Sequence, residues 1–164
     1  MSATEKHLMD AFAGESQANR KYLAFAAQAE KEGFKQIARL FRAAADAETV
    51  HALSHLNAAG KVKTTRENLE AAVAGETYEF EEMYPPMIMD ADQEGNKRGR
   101  RSLDYANQVE KVHAELYRKA LETFGQNAEV DYYVCQVCGH TVEGEPPEKC
   151  PVCQAISKAF KKID

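Results

Sequence analysis

The sequence predicts a mainly α-helical protein, in which a four-helix bundle is followed by a small, metal-held module of strands and loops. Three observations predict this fold class. Apolar residues recur every three or four positions along most of residues 3–124, as they do in amphipathic helices. Two Glu-x-x-His patterns lie 62 positions apart within these stretches. All four cysteines follow residue 130, as two Cys-x-x-Cys pairs.

Capping and turn signals divide the first part of the chain into helices. Ser2-x-x-Glu5 and Thr64-x-x-Glu67 are capping-box patterns, and glycines punctuate the ends of the periodic runs. We expect long helices over residues 3–32, 34–59, 76–94 and 96–124, and a short extra helix near 66–74. Short connections favour antiparallel packing of neighbouring helices. The bundle is expected to occupy residues 1–127 and the module residues 130–164.

The Glu-x-x-His patterns are candidate metal ligands. In Glu48-x-x-His51 and Glu110-x-x-His113 the two side chains are three positions apart, so on a helix they point the same way. Each pair interrupts an otherwise apolar stripe. A third stripe contains Glu15. Burying an unpaired carboxylate costs several kcal/mol or more, so bound metal ions are the favoured explanation, and solvated glutamates are the alternative.

A fourth helical segment adds further carboxylates. Glu79 and Glu82 lie three positions apart, just before the Pro85-Pro86 pair, which must kink or restart a helix. An exposed acidic face is the alternative interpretation of this cluster. A shift of 62 positions aligns the two Glu-x-x-His patterns, but it places Glu15 opposite Thr77 rather than Glu79. The two halves of the predicted metal site should therefore be asymmetric.

The cysteine pairs predict a second metal site. Two Cys-x-x-Cys knuckles in a short segment can place four thiolates at the corners of a tetrahedron, which suits iron or zinc. A pair of disulfides and a structural zinc ribbon are the alternatives. The segment has too few apolar residues to fold by burial alone, so a metal is expected to hold it. The ligands would be Cys135, Cys138, Cys150 and Cys153.

Composition restricts the class of partner and the compartment. The formal net charge of −5 argues against a nucleic-acid partner. No apolar run approaches the length of a membrane span, and the first residues lack the apolar core of a signal peptide. Cysteines confined to one site favour a reducing compartment, so a cytoplasmic protein is expected. The basic run at residues 97–101 is interpreted as a solvated helix start or, at most, a docking patch.

The motifs together resemble the rubrerythrin family over nearly the whole chain. They are Gly14-Glu15-Ser16, Glu48-Thr49-Val50-His51, Glu79-Phe80-Glu81-Glu82-Met83-Tyr84-Pro85, Glu110-Lys111-Val112-His113, Cys135-x-x-Cys138-Gly139 and Cys150-Pro151-Val152-Cys153. The resemblance implies a ferritin-like bundle with a non-haem di-iron site, joined to a rubredoxin-like domain that binds one iron. It also implies reduction of hydrogen peroxide, and a homodimer in which exchange of helices is possible.

The resemblance also implies a role for each ligand. Glu48 and Glu110 would bridge the two irons. His113 and Glu79 would complete one iron. Glu15 would bind the other, with Glu82 and His51 alternating as its oxidation state changes. The residues expected to act in catalysis are Glu82, His51 and Tyr22, the last as a hydrogen-bond donor near the ligands or as ordinary core packing.

Electron counting sets the expected mechanism. Reduction of peroxide to two waters takes two electrons, whereas a four-cysteine iron stores one, so this iron would relay twice per turnover. The electrons would come from an NAD(P)H-dependent reductase or a rubredoxin. Three alternatives remain open: a ferroxidase that handles iron, a non-catalytic redox or iron sensor with a structural zinc, and an oxygen-activating oxidase.

Overall fold

A computed structural model describes residues 2–164 of the chain. Its helices and strands follow in chain order. They are α1 (Ala3–Lys31), α2 (Lys35–Ala58), α3 (Thr65–Tyr78), a π-helical turn (Glu79–Met83), α4 (Tyr84–Gln93), α5 (Lys97–Glu122), β1 (Tyr132–Cys135), β2 (Thr141–Glu143), a 3₁₀ turn (Ser157–Ala159) and β3 (Phe160–Ile163). The chain divides into two compact units, Met1–Lys63 and Thr64–Asp164.

The first unit is a hairpin of α1 and α2. Ser2 caps α1 by accepting a hydrogen bond from the Glu5 N–H at 3.1 Å. The turn between the helices places Gly33 at φ 86°, a left-handed conformation that glycine adopts without a steric penalty. Small side chains let the helices approach, since Ala26, Ala38 and other alanines form the buried seam.

In the second unit, the helical segments around the acidic cluster are joined end to end. We predicted a short helix at 66–74 and a separate helix from residue 76, but α3, the π-turn and α4 form one continuous run from Thr65 to Gln93. Gly75 lies inside α3 because a single interior glycine costs only about 1 kcal/mol relative to alanine. The capping box at Thr64 and Glu67 is present as predicted. Helix α5 packs against both α3 and α4.

The proline pair follows a widened helical turn. The Tyr84 N–H donates to the Glu79 carbonyl five residues earlier, which is the hydrogen-bond spacing of a π-helix. Pro85 and Pro86 then occupy the first turn of α4, where a missing N–H costs little. The predicted irregularity at the prolines is therefore a π-turn just before them.

The C-terminal part of the second unit is a three-stranded antiparallel sheet in the order β2-β1-β3. Two cysteine turns flank the sheet. Gly139, at φ 87°, closes the first turn, and its N–H donates to the Cys135 carbonyl at 2.8 Å. Gln154 closes the second turn at φ 62°, so a residue with a side chain adopts the left-handed conformation there. An ion pair between Lys119 and Glu143 ties the sheet to α5.

Within residues 2–164, no helix is both long enough and apolar enough to span a membrane.

Candidate metal centres

The α1–α2 hairpin brings together three of the predicted ligands. Glu15, Glu48 and His51 each offer a ligand atom, and these atoms lie within 4.8 Å of one another. His51 Nδ1 is 2.8 Å from Glu48 Oε2, as expected for side chains one helical turn apart. Two carboxylates and an imidazole on facing helices form a donor set that suits iron.

A hydrogen-bond clamp fixes the register of this hairpin beside the cluster. The Asn19 side-chain amide of α1 donates to the Ala45 carbonyl at 2.6 Å and to Thr49 Oγ1 at 2.8 Å, both on α2. Asn19 lies one helical turn beyond Glu15, and Thr49 is adjacent to Glu48. The clamp therefore holds the two helix backbones at a fixed register, and this register sets the separation of the Glu15 and Glu48 carboxylates.

The second unit contains a matching cluster of Glu76, Glu110 and His113. Their ligand atoms also lie within 4.8 Å of one another. His113 Nδ1 is 2.8 Å from Glu110 Oε2 and 3.9 Å from Glu76 Oε1. Each unit thus supplies one Glu-x-x-His pair and one further glutamate from a neighbouring helix.

The carboxylates of the second cluster repel one another. Burial, reinforced by the Glu110 carboxylate, raises the pKa of Glu76 to about 7. The same two causes raise the pKa of Glu79. The hydrogen bond to Glu110 raises the pKa of His113. A metal cation would remove this repulsion and satisfy the oxygens together, so the donor set fits the predicted ion.

The second cluster contains one carboxylate that the sequence did not single out. Glu76 is a cluster member, whereas Glu82 is exposed and lies outside both clusters, and its role as an alternating ligand stays a prediction. Glu79 is half-buried, and its pKa responds to Glu110. In an α-helix Glu82 would follow Glu79 on the same face, but the π-turn starting at Glu79 rotates Glu82 away.

The internal repeat contained a signal for Glu76. The 62-position shift aligns Tyr22 with Tyr84 and both Glu-x-x-His pairs, but fails earlier in the chain. A π-turn adds one residue to a helix, so the shift should become 61 positions before it. A shift of 61 aligns Glu15 with Glu76. The extra carboxylate, Glu79, then falls opposite Ala18, which makes the two halves chemically unequal.

The two aligned tyrosines have different surroundings. Tyr22 packs its ring against Phe25 and Phe41, at centroid distances of 6.4 and 6.2 Å. Its role as a hydrogen-bond donor near the ligands stays a prediction. Tyr84 lies among the carboxylates, since burial and then Glu110 raise its pKa. Its hydroxyl therefore keeps its proton near neutral pH.

The four cysteines converge into a single cluster. The sulfurs of Cys135 and Cys153 are 3.6 Å apart, and those of Cys138 and Cys150 are 3.5 Å apart. All four lie within 4.8 Å of one another, as the corners of a tetrahedral site require. Burial acts to raise the pKa of the Cys135 thiol, but N–H groups of Val137 and Cys138 outweigh it and lower this pKa, which favours the thiolate.

Hydrogen bonds join a histidine of the second cluster to the loop that follows Cys138. His113 Nε2 is 3.0 Å from Thr141 Oγ1, and the Thr141 hydroxyl donates to the Gly139 carbonyl at 3.1 Å. Because the hydroxyl has one proton and gives it to Gly139, it must accept from His113. The imidazole therefore holds a proton on Nε2, and Nδ1, 2.8 Å from Glu110 Oε2, is the nitrogen that would bind a metal.

Comparisons with known proteins agree with this arrangement. The rubrerythrin family model matches residues 6–121, and the model of the rubrerythrin rubredoxin-like domain matches residues 133–161. Rubrerythrin-2 of Clostridium acetobutylicum is 34% identical over 175 positions, covering 96% of this chain and 95% of the relative. Nigerythrin of Nitratidesulfovibrio vulgaris is 37% identical over 167 positions, covering 93% and 83%. The solved structure of fully reduced, all-ferrous nigerythrin matches with a TM-score of 0.61 at 33% identity, covering 99% of this chain and 88% of that one.

The fold and ligand sets define a carboxylate-type di-iron protein fused to a four-cysteine iron domain. The chain belongs to the rubrerythrin family. The predicted fold class and cofactors are confirmed: the rubrerythrin domain binds two irons and the rubredoxin-like domain binds one. The single iron is held by Cys135, Cys138, Cys150 and Cys153.

The first prediction separates Glu76 from Glu82. We expect Glu76→Ala to lower the affinity of the metal-free protein for Co²⁺ at the carboxylate site by at least tenfold, because it removes a ligand. Glu82→Ala, the matched control on the same helical run, should bind as wild type. Optical titration with Co²⁺ measures both. Normal binding by Glu76→Ala together with weak binding by Glu82→Ala would show that Glu82, and not Glu76, is the ligand.

The second prediction concerns Thr141. Thr141→Val keeps the shape of the side chain but leaves the His113 Nε2 proton without its acceptor, so metal affinity at the carboxylate site should fall about 10- to 100-fold. Thr141→Ser keeps the hydroxyl and should restore the affinity. Competition with a chelator measures this affinity. Equal affinities for all three proteins would show that the hydrogen bond does not orient the imidazole.

Proposed function

We propose that this protein is a di-iron peroxidase that reduces hydrogen peroxide to water, with electrons relayed through its own four-cysteine iron. Membership of the rubrerythrin family supports the reaction class. The observation that carries the proposal is the hydrogen bond between His113 and Thr141, 3.0 Å long, because it couples a di-iron ligand to the cysteine loop. A protein that only stores iron has no use for this coupling.

The ligand sets suit the chemistry. Two ferrous ions held by the carboxylates and histidines would supply the two electrons that, with two protons, convert one hydrogen peroxide into two waters. Glu79 and Tyr84 lie beside the second cluster. Burial and then Glu110 raise the pKa of Tyr84, so its hydroxyl would hold a proton near the reacting oxygens. The iron that the four thiolates would hold can carry one electron at a time, so two relays would complete a turnover.

The proposal includes the electron source and the compartment. An NAD(P)H-dependent reductase or a rubredoxin would reduce the four-cysteine iron, and the protein would act in the cytoplasm in defence against oxidative stress. The negative net charge favours neither nucleic acid nor an anionic membrane surface as a partner.

The third prediction tests the reaction. Anaerobically reduced, iron-loaded protein is mixed rapidly with hydrogen peroxide or with oxygen, while the visible absorption of the ferric thiolate centre is followed. We expect peroxide to oxidise the centre much faster than oxygen, with one peroxide consumed per two electrons. Glu110→Ala serves as the control, because it keeps the four cysteines but loses a di-iron ligand. In this variant, peroxide should oxidise the thiolate-bound iron to the coloured ferric state only slowly.

Three results would contradict the proposal. If oxygen matches or exceeds peroxide, the protein is a ferroxidase or an oxidase. If the Glu110→Ala protein reacts as fast as wild type, the thiolate centre reacts directly and the di-iron site is not used. If no ferric thiolate colour forms, the four-cysteine site holds zinc and the relay is lost.

We also propose a homodimer in which each bundle combines the α1–α2 hairpin of one chain with α3–α5 of the other. Large apolar side chains of α2 support a partner for the hairpin: Leu40 is 67% exposed, Val50 63% and Leu53 53%. The candidate ligands are divided between the same two parts of the chain, with three on the α1–α2 hairpin and three on α3–α5.

The connection between the units also supports exchange. A ferritin-like bundle needs one long crossover between its second and third helices. Helix α2 continues seven residues beyond His51, and α3 begins eleven residues before Glu76. If one chain placed its own two clusters side by side, the crossover would therefore have to run about 27 Å along the bundle axis. Residues 59–64 span at most about 25 Å when fully extended. They are not fully extended, because the Lys61 N–H bonds back to the Leu56 carbonyl.

The fourth prediction tests the exchange by complementation. Glu48→Ala/His51→Ala damages one half-site, and Glu110→Ala/His113→Ala damages the other. Each homodimer should lack peroxidase activity. Coexpressed with different tags and purified as a mixed dimer, the two variants should regain about half of the wild-type rate, because one of the two exchanged sites is then intact. A mixed dimer without activity would show that each chain builds its own site.

A further inference from the structure

We propose that Arg98 and Arg101 form a docking surface for an acidic, one-electron carrier protein that reduces the four-cysteine iron at its Cys153 edge. This inference rests on the proposed function, since it names the class of electron donor. The two arginines lie on the first turns of α5 and line one cavity, of about 390 Å³, together with Tyr105, Val137 and Cys153. We call this set the basic docking surface.

The cavity lies at the accessible side of the cysteine cluster. Cys135 and Cys150 are buried, at 1% and 0% exposure, whereas Cys138 and Cys153 are half-buried. Val137, in the first cysteine turn, is 60% exposed. An electron carrier can therefore approach the cluster at Cys153, with an apolar contact at Val137 and charged contacts at the rim of the cavity. This combination is typical of transient protein interfaces.

The charge on this surface is available to a partner. Arg100, between the two arginines in sequence, is neutralised by Asp92 at 2.6 Å. Among residues 2–164, neither Arg98 nor Arg101 forms an ion pair. The chain as a whole carries a net charge of −5, so an unpaired basic pair stands out against it. The surface complements a negatively charged partner.

Helix stability does not account for these arginines. The N-terminus of a helix carries a partial positive charge, so basic residues in the first turns are unfavourable there. Helices α1 and α3 follow the rule, with Glu5 and Glu67 in their first turns, whereas α2 begins with Lys35 and has no acidic residue there. Helix α5 has no acidic residue in its first turn and begins with Lys97 and Arg98. Departures from such local rules are expected at functional sites.

Electron counting selects a protein carrier over a nicotinamide nucleotide. A reduced nicotinamide gives up a hydride, which is an electron pair, and a single thiolate-bound iron accepts one electron. The step proposed here transfers one electron from the reduced carrier to the ferric centre, which becomes ferrous. No bond forms or breaks, and no proton is required.

The test compares two double charge reversals in the full-length, iron-loaded protein. Arg98→Glu/Arg101→Glu reverses the docking surface, and Lys158→Glu/Lys161→Glu reverses two exposed lysines elsewhere on the four-cysteine domain. Reduction of the ferric thiolate centre by a reduced, acidic rubredoxin is followed by rapid mixing at low salt. We expect the second-order rate constant to fall at least tenfold in the arginine variant and less than threefold in the lysine variant.

Two further measurements make the result specific. At high salt the rate constants of the arginine variant and wild type should converge. Reduction by the methyl viologen radical cation, which needs no acidic docking partner, should not slow in the arginine variant. Helix stability should hold or rise, because glutamate suits the first turns of α5, and circular dichroism with thermal unfolding checks this.

Defined outcomes would overturn the inference. Equal rate constants in wild type and the arginine variant would do so, as would equal losses in both double variants. Direct reduction by NADPH, slowed only by the arginine substitutions, would assign the surface to a nucleotide. Peroxide-driven oxidation of the same centre needs no donor protein and is measured separately, so failure of the peroxidase proposal and failure of the docking proposal are distinguishable.

Discussion

The mutual repulsion of buried carboxylates is the constraint on which the rest of the bundle depends. Glu76, Glu79 and Glu110 lie close enough for burial and Coulomb repulsion to raise the pKa of Glu76 to about 7. Such a group of acids is unfavourable in a helical core unless a cation neutralises it. His113, which contacts Glu76 and Glu110, and the π-turn that begins at Glu79 help to hold these oxygens in place. The site is therefore also a condition for stable packing.

The sequence predicted most of the helices because the signals that begin, sustain and end a helix lie within a few residues of one another. Apolar periodicity, two capping boxes and the glycine turns placed α1, α2 and α5 within a few residues of their observed ends. The four-cysteine cluster was equally predictable, since knuckle spacing determines which sulfurs can converge. The two Glu-x-x-His pairs were found for the same reason: their members share one helical turn.

The π-turn explains why the sequence did not predict the continuous helical run or the place of Glu76 in a cluster. Helical periodicity assumes 3.6 residues per turn, and a π-turn breaks that count once, so every face assignment changes across it. Glu76 was missed for this reason, whereas the role of Glu82 as a ligand stays a prediction. The bond between His113 and Thr141 was not predictable, because it joins residues 28 positions apart in different kinds of structure. The exposure of the apolar side chains on the hairpin could not be predicted either. Periodicity shows which face of a helix is apolar, but not which element packs against that face.

The two cysteine turns differ in a way that matters when the metal leaves. Gly139 adopts its left-handed conformation freely, but Gln154 adopts the same kind of conformation with a side chain, which costs of order 1 kcal/mol. The side-chain amide of Gln154 offsets part of this cost through its hydrogen bond to the Cys150 carbonyl at 3.2 Å. While four metal–sulfur bonds hold both turns, this difference in conformational energy does not change their structure. Once those bonds break, we expect the turn at Cys150–Cys153 to relax before the turn at Cys135–Cys138.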